Sequence, residues 1–121
     1  RQAEALVRRA PATLNALLSV NVAHEASKSG VLPAQALDRV EALSSVEGLR
    51  VCGLMTLPPF TEDPEDSAPF FEELADLAER GRQRGLPLDE LSMGMSHDAH
   101  VAIRYGATWV RIGTAIFGGR S

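Results

Sequence analysis

The stretch Thr108 to Gly119, TWVRIGTAIFGG, carries the densest chemistry in the chain. An apolar run leads into Arg111, a Gly113-Thr114 pair follows, and a second apolar run extends from Ala115 to Phe117. Gly113 has no side chain, so backbone N–H groups there can approach an anion closely. Thr114 adds a hydroxyl donor and Arg111 a permanent planar cation. Upstream, Leu91 to Ser96 (LSMGMS) is a second apolar run ending in Gly and a hydroxyl, with a helical pattern after it. Two strand ends furnished in this way can hold one anion between them, and a phosphate suits such donors.

Each of these residues also has a plainer reading. Ser96 can simply cap a helix, and Gly94 can simply ease a turn. Arg111 sits in an apolar strand, where an unpaired guanidinium is costly. It therefore pairs either with an internal carboxylate or with an anion or ring nitrogen at the mouth of the sheet. Taken with Gly113 and Thr114, Ser96 reads as a phosphate ligand. Lys28 is the only lysine, and it lies in a polar loop between Ser27 and Ser29 with nothing apolar beside it to lower its pKa. A solvated or anion-pairing role is expected for it, not covalent attachment to an aldehyde. His97 and His100 fall three apart on an expected short helix, but no carboxylate motif completes a metal site with them or with His24. No Ser-His-Asp or Cys-His arrangement is evident. Met55, Met93 and Met95 are strand-end packing residues that can also line an aromatic ligand. Cys52, the only cysteine, reads as a small core residue.

The elements that must position these groups follow from periodicity. A helical pattern over 2–10 ends at Pro11. Leu14 to Val22 is nearly continuous apolar sequence, as in a strand buried on both faces. The polar loop from His24 to Gly30 follows. Pro33 then opens a helix whose stripe is Ala36, Leu37, Val40 and Leu43, and Gly48 stops it. Leu49 to Leu57 is the second strand, ended by Pro58-Pro59. After an acidic, Pro-rich loop, Ser67 caps a helix with the stripe Phe70, Leu74, Leu77, Ala78 and Gly81, terminated by Gly85. Leu88 to Met95 is the third strand, Ser96 caps a short helix reaching Tyr105, and Thr108 to Phe117 is the fourth strand. Alternating strands and helices predict an α/β fold with parallel pairing and right-handed crossovers. Four βα units make either half of an eight-fold barrel or a small open doubly wound sheet. A phosphate site between the last two strands favours the barrel.

The chain's 121 residues make one modest domain, able to bury roughly two thirds of its extended surface. A net charge of −4 argues against a nucleic-acid surface, and no membrane-length apolar run or signal peptide is present. A cytoplasmic location is expected. The chain opens on Arg1, without an initiator Met and without a strand before its first helix. It therefore reads as the C-terminal piece of something longer.

Segment by segment, the sequence resembles the pyridoxal-phosphate homeostasis protein family, a set of alanine-racemase-like barrel proteins. The segments are VNV at 20–22, EASKSG at 25–30, GLMT at 53–56, LSMGMS-x-D at 91–98 and VRIGTAIFG at 110–118. The resemblance implies the second half, strands 5–8, of a TIM-type (β/α)8 barrel that binds pyridoxal 5′-phosphate (PLP). It places the phosphate on Ser96, Gly113 and Thr114, sets Arg111 against the pyridine nitrogen, and adds Met95 and Asn21 to the cofactor-contact set. An Arg opposite that nitrogen keeps it unprotonated and weakens the cofactor as an electron sink, in keeping with a non-catalytic PLP homeostasis role. The family's aldimine lysine lies on the first barrel strand, upstream of this chain, and Lys28 matches a different lysine. The implied partners are PLP and either a second copy or the N-terminal half, with no nucleic acid and no membrane. Two other readings remain: a fragment of a PLP-dependent racemase or decarboxylase, and a phosphate-binding half-barrel that oligomerises.

Overall fold

The structure is a computed structural model that describes residues 13–23, 30–113 and 115–118. The expected helix over 2–10, the loop carrying His24 and Lys28, and the residues Thr114 and Gly119 lie outside the described residues.

The first strand, β1 (Leu14–Ser19), is followed by α1 (Pro33–Leu43) and β2 (Leu49–Met55). A 3-10 turn (Pro64–Ser67) then leads into α2 (Ala68–Gln83). The chain continues through β3 (Glu90–Met95), α3 (Ala99–Arg104), β4 (Trp109–Ile112) and β5 (Ala115–Gly118). Strands β1 to β4 pair in parallel and in chain order. That order separates the two architectures left open by the sequence. A doubly wound sheet reverses direction at a switch point and puts helices on both faces, whereas a barrel winds one way only. The unreversed order makes this a half-barrel.

One face of the sheet carries the helices and the core. Leu54, Leu91 and Met93 from the strands meet Ala36 and Val40 of α1, Phe71, Leu74, Leu77 and Ala78 of α2, and Val101 and Ala102 of α3. The α2 stripe is close to that expected from spacing, with one exchange: Phe71 is fully buried, and Phe70 is only partly so. Both phenylalanines lie one helical turn before Leu74, Phe70 at i−4 and Phe71 at i−3, and the second points inward. Ser67 is the N-cap residue, yet its side chain caps nothing and pairs instead with the Thr61 hydroxyl, Oγ to Oγ1 at 2.9 Å. The opposite, concave face bears a groove of about 350 Å³ lined by Asn15, Leu17, Cys52, Glu90 and Trp109. The Trp109 indole donates to Glu90 across this face at 3.2 Å.

The C-terminal stretch differs from the single strand expected over 108–117. It is a hairpin: β5 turns back and pairs antiparallel with β4, with Val110 opposite Phe117 and Ile112 opposite Ala115. Only Gly113 and Thr114 connect them. Gly113 has a φ of 59°, in the left-handed region that tight hairpin turns need and that ends an extended run. Gly118 makes the return possible, because a Cβ there would lie 2.0 Å from the Trp109 ring. Apolar residues flank the turn on both sides, which is why periodicity alone reads the two strands as one. Among the described residues no helix is long and apolar enough to cross a membrane.

Because Phe71 is fully buried and Phe70 is not, Phe71→Ala should cost about 3–5 kcal/mol. Phe70→Ala should cost distinctly less. Denaturant midpoints at unchanged slope read both, and equal costs would contradict the inward assignment of Phe71.

Candidate functional site

The ends of β3 and β4 come together through a bulge. On β3 the step from Ser92 to Met95 spans three residues, whereas the matching step on β4, Trp109 to Arg111, spans two. The extra residue re-aims the side chains beyond it. Gly94 sits in this step with a φ of 104°, and a Cβ there would lie 2.6 Å from the Cβ of Ala102. Its role is therefore close packing of α3 on the sheet as much as a turn.

After the bulge the chain closes a tight turn over residues 95–98. The Asp98 amide donates to the Met95 carbonyl at 3.1 Å, and the Met95 amide donates to Asp98 Oδ1 at 2.7 Å. Ser96 and His97 occupy the two central positions. Ser96 was expected to cap the following helix. Instead Asp98 is the N-cap residue of α3, its carbonyl accepting from Val101 and Ala102 at 3.0 Å each. The Ser96 side chain is thereby released to reach across to the β4–β5 turn. There its Oγ accepts the Gly113 amide at 2.9 Å. This bond joins the two segments singled out in the sequence.

Met95 and Arg111 are cross-strand partners just below this bond. Met95, Ser96, Arg111 and Gly113 thus form one patch at the C-terminal end of the sheet. Arg111 is half-buried, and among the described residues its guanidinium makes no ion pair or side-chain hydrogen bond. The alternative of an internal carboxylate partner is not realised there. Open space surrounds Gly113, with nothing within 4 Å of the position a Cβ would take. Asn21 is buried at the end of β1, on the same rim, and its amide donates to Val31 at 2.8 Å. With β2 between β1 and β3, it stands about 10 Å away in strand spacing. Thr114 lies outside the described residues.

Two neighbours of the site were given no role in it by the sequence. The Asp98 carboxylate is buried, 4% exposed, and shapes the turn that carries Ser96. Only the short motif LSMGMS-x-D marked it. His97 was expected on a helix with His100, but it sits in the turn and bonds to the Thr61 carbonyl at 2.9 Å through Nε2. A carbonyl only accepts, so Nε2 carries the hydrogen. The Phe60 ring lies 4.6 Å from the imidazole, tying the β2–α2 loop to the site. A small cavity of about 50 Å³, lined in part by Thr56, Gly94, His97 and Asp98, lies beneath this contact.

A parallel half-barrel with a hydroxyl and a guanidinium gathered at its C-terminal rim has the arrangement in which barrels hold phosphates. The sequence matches the family model described as alanine racemase, N-terminal domain, over residues 1–121, and the chain belongs to that family. Over 105 residues it is 48% identical to the pyridoxal phosphate homeostasis protein of Aquifex aeolicus, an alignment covering 86% of this chain and 46% of that protein. The structure of PipY from Synechococcus elongatus without PLP superposes with a TM-score of 0.74 at 32% identity, covering 84% of this chain and 48% of that one. With PLP bound, PipY gives 0.71 at 30% identity, covering 93% and 54%. The chain spans about half the length of the curated relatives it matches.

The residues fit a phosphorylated pyridine cofactor in their donor chemistry: a hydroxyl, a guanidinium with no ion pair among the described residues, and an open glycine turn on one rim. The turn itself is testable without ligand. Gly113→Val puts a β-branched residue at a φ of 59°, which should cost about 1–2 kcal/mol in denaturant unfolding. Because that position is open, the cost is one of backbone conformation. An unchanged midpoint would contradict the left-handed turn.

Proposed function

We propose that this chain binds pyridoxal 5′-phosphate by its phosphate, as the second half-barrel (strands 5–8) of a cytoplasmic, non-catalytic PLP homeostasis protein. The observation that carries this reading is the 2.9 Å bond from the Gly113 amide to Ser96 Oγ. A serine hydroxyl has one hydrogen to give and two lone pairs to receive with. The Gly113 amide occupies a lone pair, so the hydroxyl hydrogen stays available to a phosphate oxygen. Gly113 thus orients the donor, and Ser96 makes the contact. Thr114 joins them in this reading as a second hydroxyl. Arg111, with its guanidinium uncommitted among the described residues, meets the pyridine nitrogen, and Met95 packs beside the ring. Asn21 reaches the cofactor from the far side of the rim.

When bound, the cofactor supplies an aldehyde that reacts reversibly with amines. In this chain the one lysine is Lys28, and the reading places the cofactor-linking lysine in an N-terminal half that completes the barrel over the concave groove. Tyr105 and Cys52 support a role without turnover. Tyr105 ends α3 and Cys52 lies within β2, so neither stands at the rim as a proton-transfer group. The names of the relatives, pyridoxal phosphate homeostasis proteins, and the PLP-bound form of PipY support the choice of cofactor.

Titration of the chain with PLP, followed by its absorbance, should give a saturable curve. Ser96→Ala should weaken binding about 10- to 100-fold, the value of one hydrogen bond to a charged group. An S96A curve identical to wild type would overturn the phosphate assignment. Borohydride added to the PLP-loaded chain should leave Lys28 unmodified; a pyridoxyl adduct on Lys28, seen by peptide mass spectrometry, would overturn the non-covalent reading.

A further inference from the structure

Ser96 is held from two sides. The Gly113 amide accounts for one, and the turn that carries Ser96 accounts for the other. That turn is closed by a single residue, Asp98, which acts through three groups at once. Its amide bonds to the Met95 carbonyl at 3.1 Å, and its carboxylate accepts from the Met95 amide at 2.7 Å. Its carbonyl starts α3 through Val101 and Ala102. An N-cap aspartate ordinarily turns its side chain forward onto the first helical amides. Here the carboxylate faces backward, away from the helix, and makes no cap bond. A buried carboxylate, 4% exposed, would be costly without such a partner. The 2.7 Å bond to Met95 is short, as charge-assisted bonds are. The helix forgoes a cap, and the gain is a fixed 95–98 turn.

We propose that Asp98 is the positioning residue of this site: by clamping the 95–98 turn it aims the Ser96 hydroxyl at the Gly113 turn. If the site takes PLP as proposed above, the clamp is what lets it prefer a phosphorylated pyridine aldehyde to the unphosphorylated one. Asp98 does not touch the ligand. The carboxylate's second oxygen lies 3.9 Å from His97 Nε2, beyond hydrogen-bond distance, and His97 bonds to the Thr61 carbonyl instead. Removing the acceptor frees Ser96 to rotate away from the rim.

Two readouts on the full chain separate this proposal from the one it rests on. The first needs no ligand: amide exchange at Gly113, followed by NMR. Asp98→Ala should accelerate it about tenfold, as should Ser96→Ala, because both remove the acceptor from place. Asp98→Asn keeps an oxygen at the same reach and should preserve wild-type exchange. The second is the ratio of affinities for PLP and for pyridoxal. D98A should lower that preference about tenfold, and D98N should retain it. If D98A does not fold, Asp98→Leu fills the same volume and deletes both acceptor oxygens. Unchanged Gly113 exchange in D98A or D98L would overturn the proposal, however well PLP binds. Faster exchange in a chain with no preference for the phosphorylated ligand would leave the positioning role standing and remove the phosphate reading.

Discussion

The bond between the Ser96 hydroxyl and the Gly113 amide spans the ends of two parallel strands. Everything at the rim is arranged to let it form. β3 and β4 are also fastened at their other ends, where the Thr108 amide donates to Leu91 at 2.8 Å and the Leu91 amide returns to the Thr108 hydroxyl at 2.8 Å. Between these two ties the strands fall out of register by one residue. The slip sits at Gly94, the position where a side chain would collide with α3. A glycine is thus needed at the one place where the helix crowds the sheet and the strand must bulge. The bulge turns Ser96 toward its partner.

The rim also depends on the direction in which the sheet is wound. Parallel strands in unreversed order put all three described helices on one face, so the core lies between that face and the helices. The C-terminal strand ends are left as a common edge to which each loop contributes. The His97 bond to Thr61 and the Phe60 contact bring the β2–α2 loop onto this edge. The exposed pair of Glu65 with Arg104, at 2.6 Å, ties the 3-10 turn of that loop to the end of α3. Exposed pairs of this kind contribute little to stability.

Much of this was legible from residue types. Continuous apolar runs gave the strands, the 3.6-residue stripes gave the helices, and the glycine-hydroxyl pairs at two run ends marked Ser96 and Gly113. The misreadings have physical causes. The hairpin was hidden because Val110 and Phe117 are equally apolar whether they continue a strand or pair across a turn. Only the positive φ at Gly113 and the contact of Gly118 with Trp109 distinguish the two. Phe70 and Phe71 were exchanged because both fall at stripe spacing from Leu74, at i−4 and i−3, and spacing alone does not choose between them. Ser96 looked like a cap because Ser and Asp are both good N-caps, and the choice fell to the residue whose carbonyl meets Val101 and Ala102. Asp98 went unassigned because its role is a backward bond to Met95, which spacing alone does not distinguish from a forward one.

The central claim, that the anion is held at the joined ends of β3 and β4, is tested most directly by mapping backbone amide shifts during a PLP titration. The account predicts saturable shifts at Ser96 and Gly113, with the Trp109 indole on the concave groove unmoved. Shifts at the Trp109 indole with the Ser96 and Gly113 amides unchanged would contradict it.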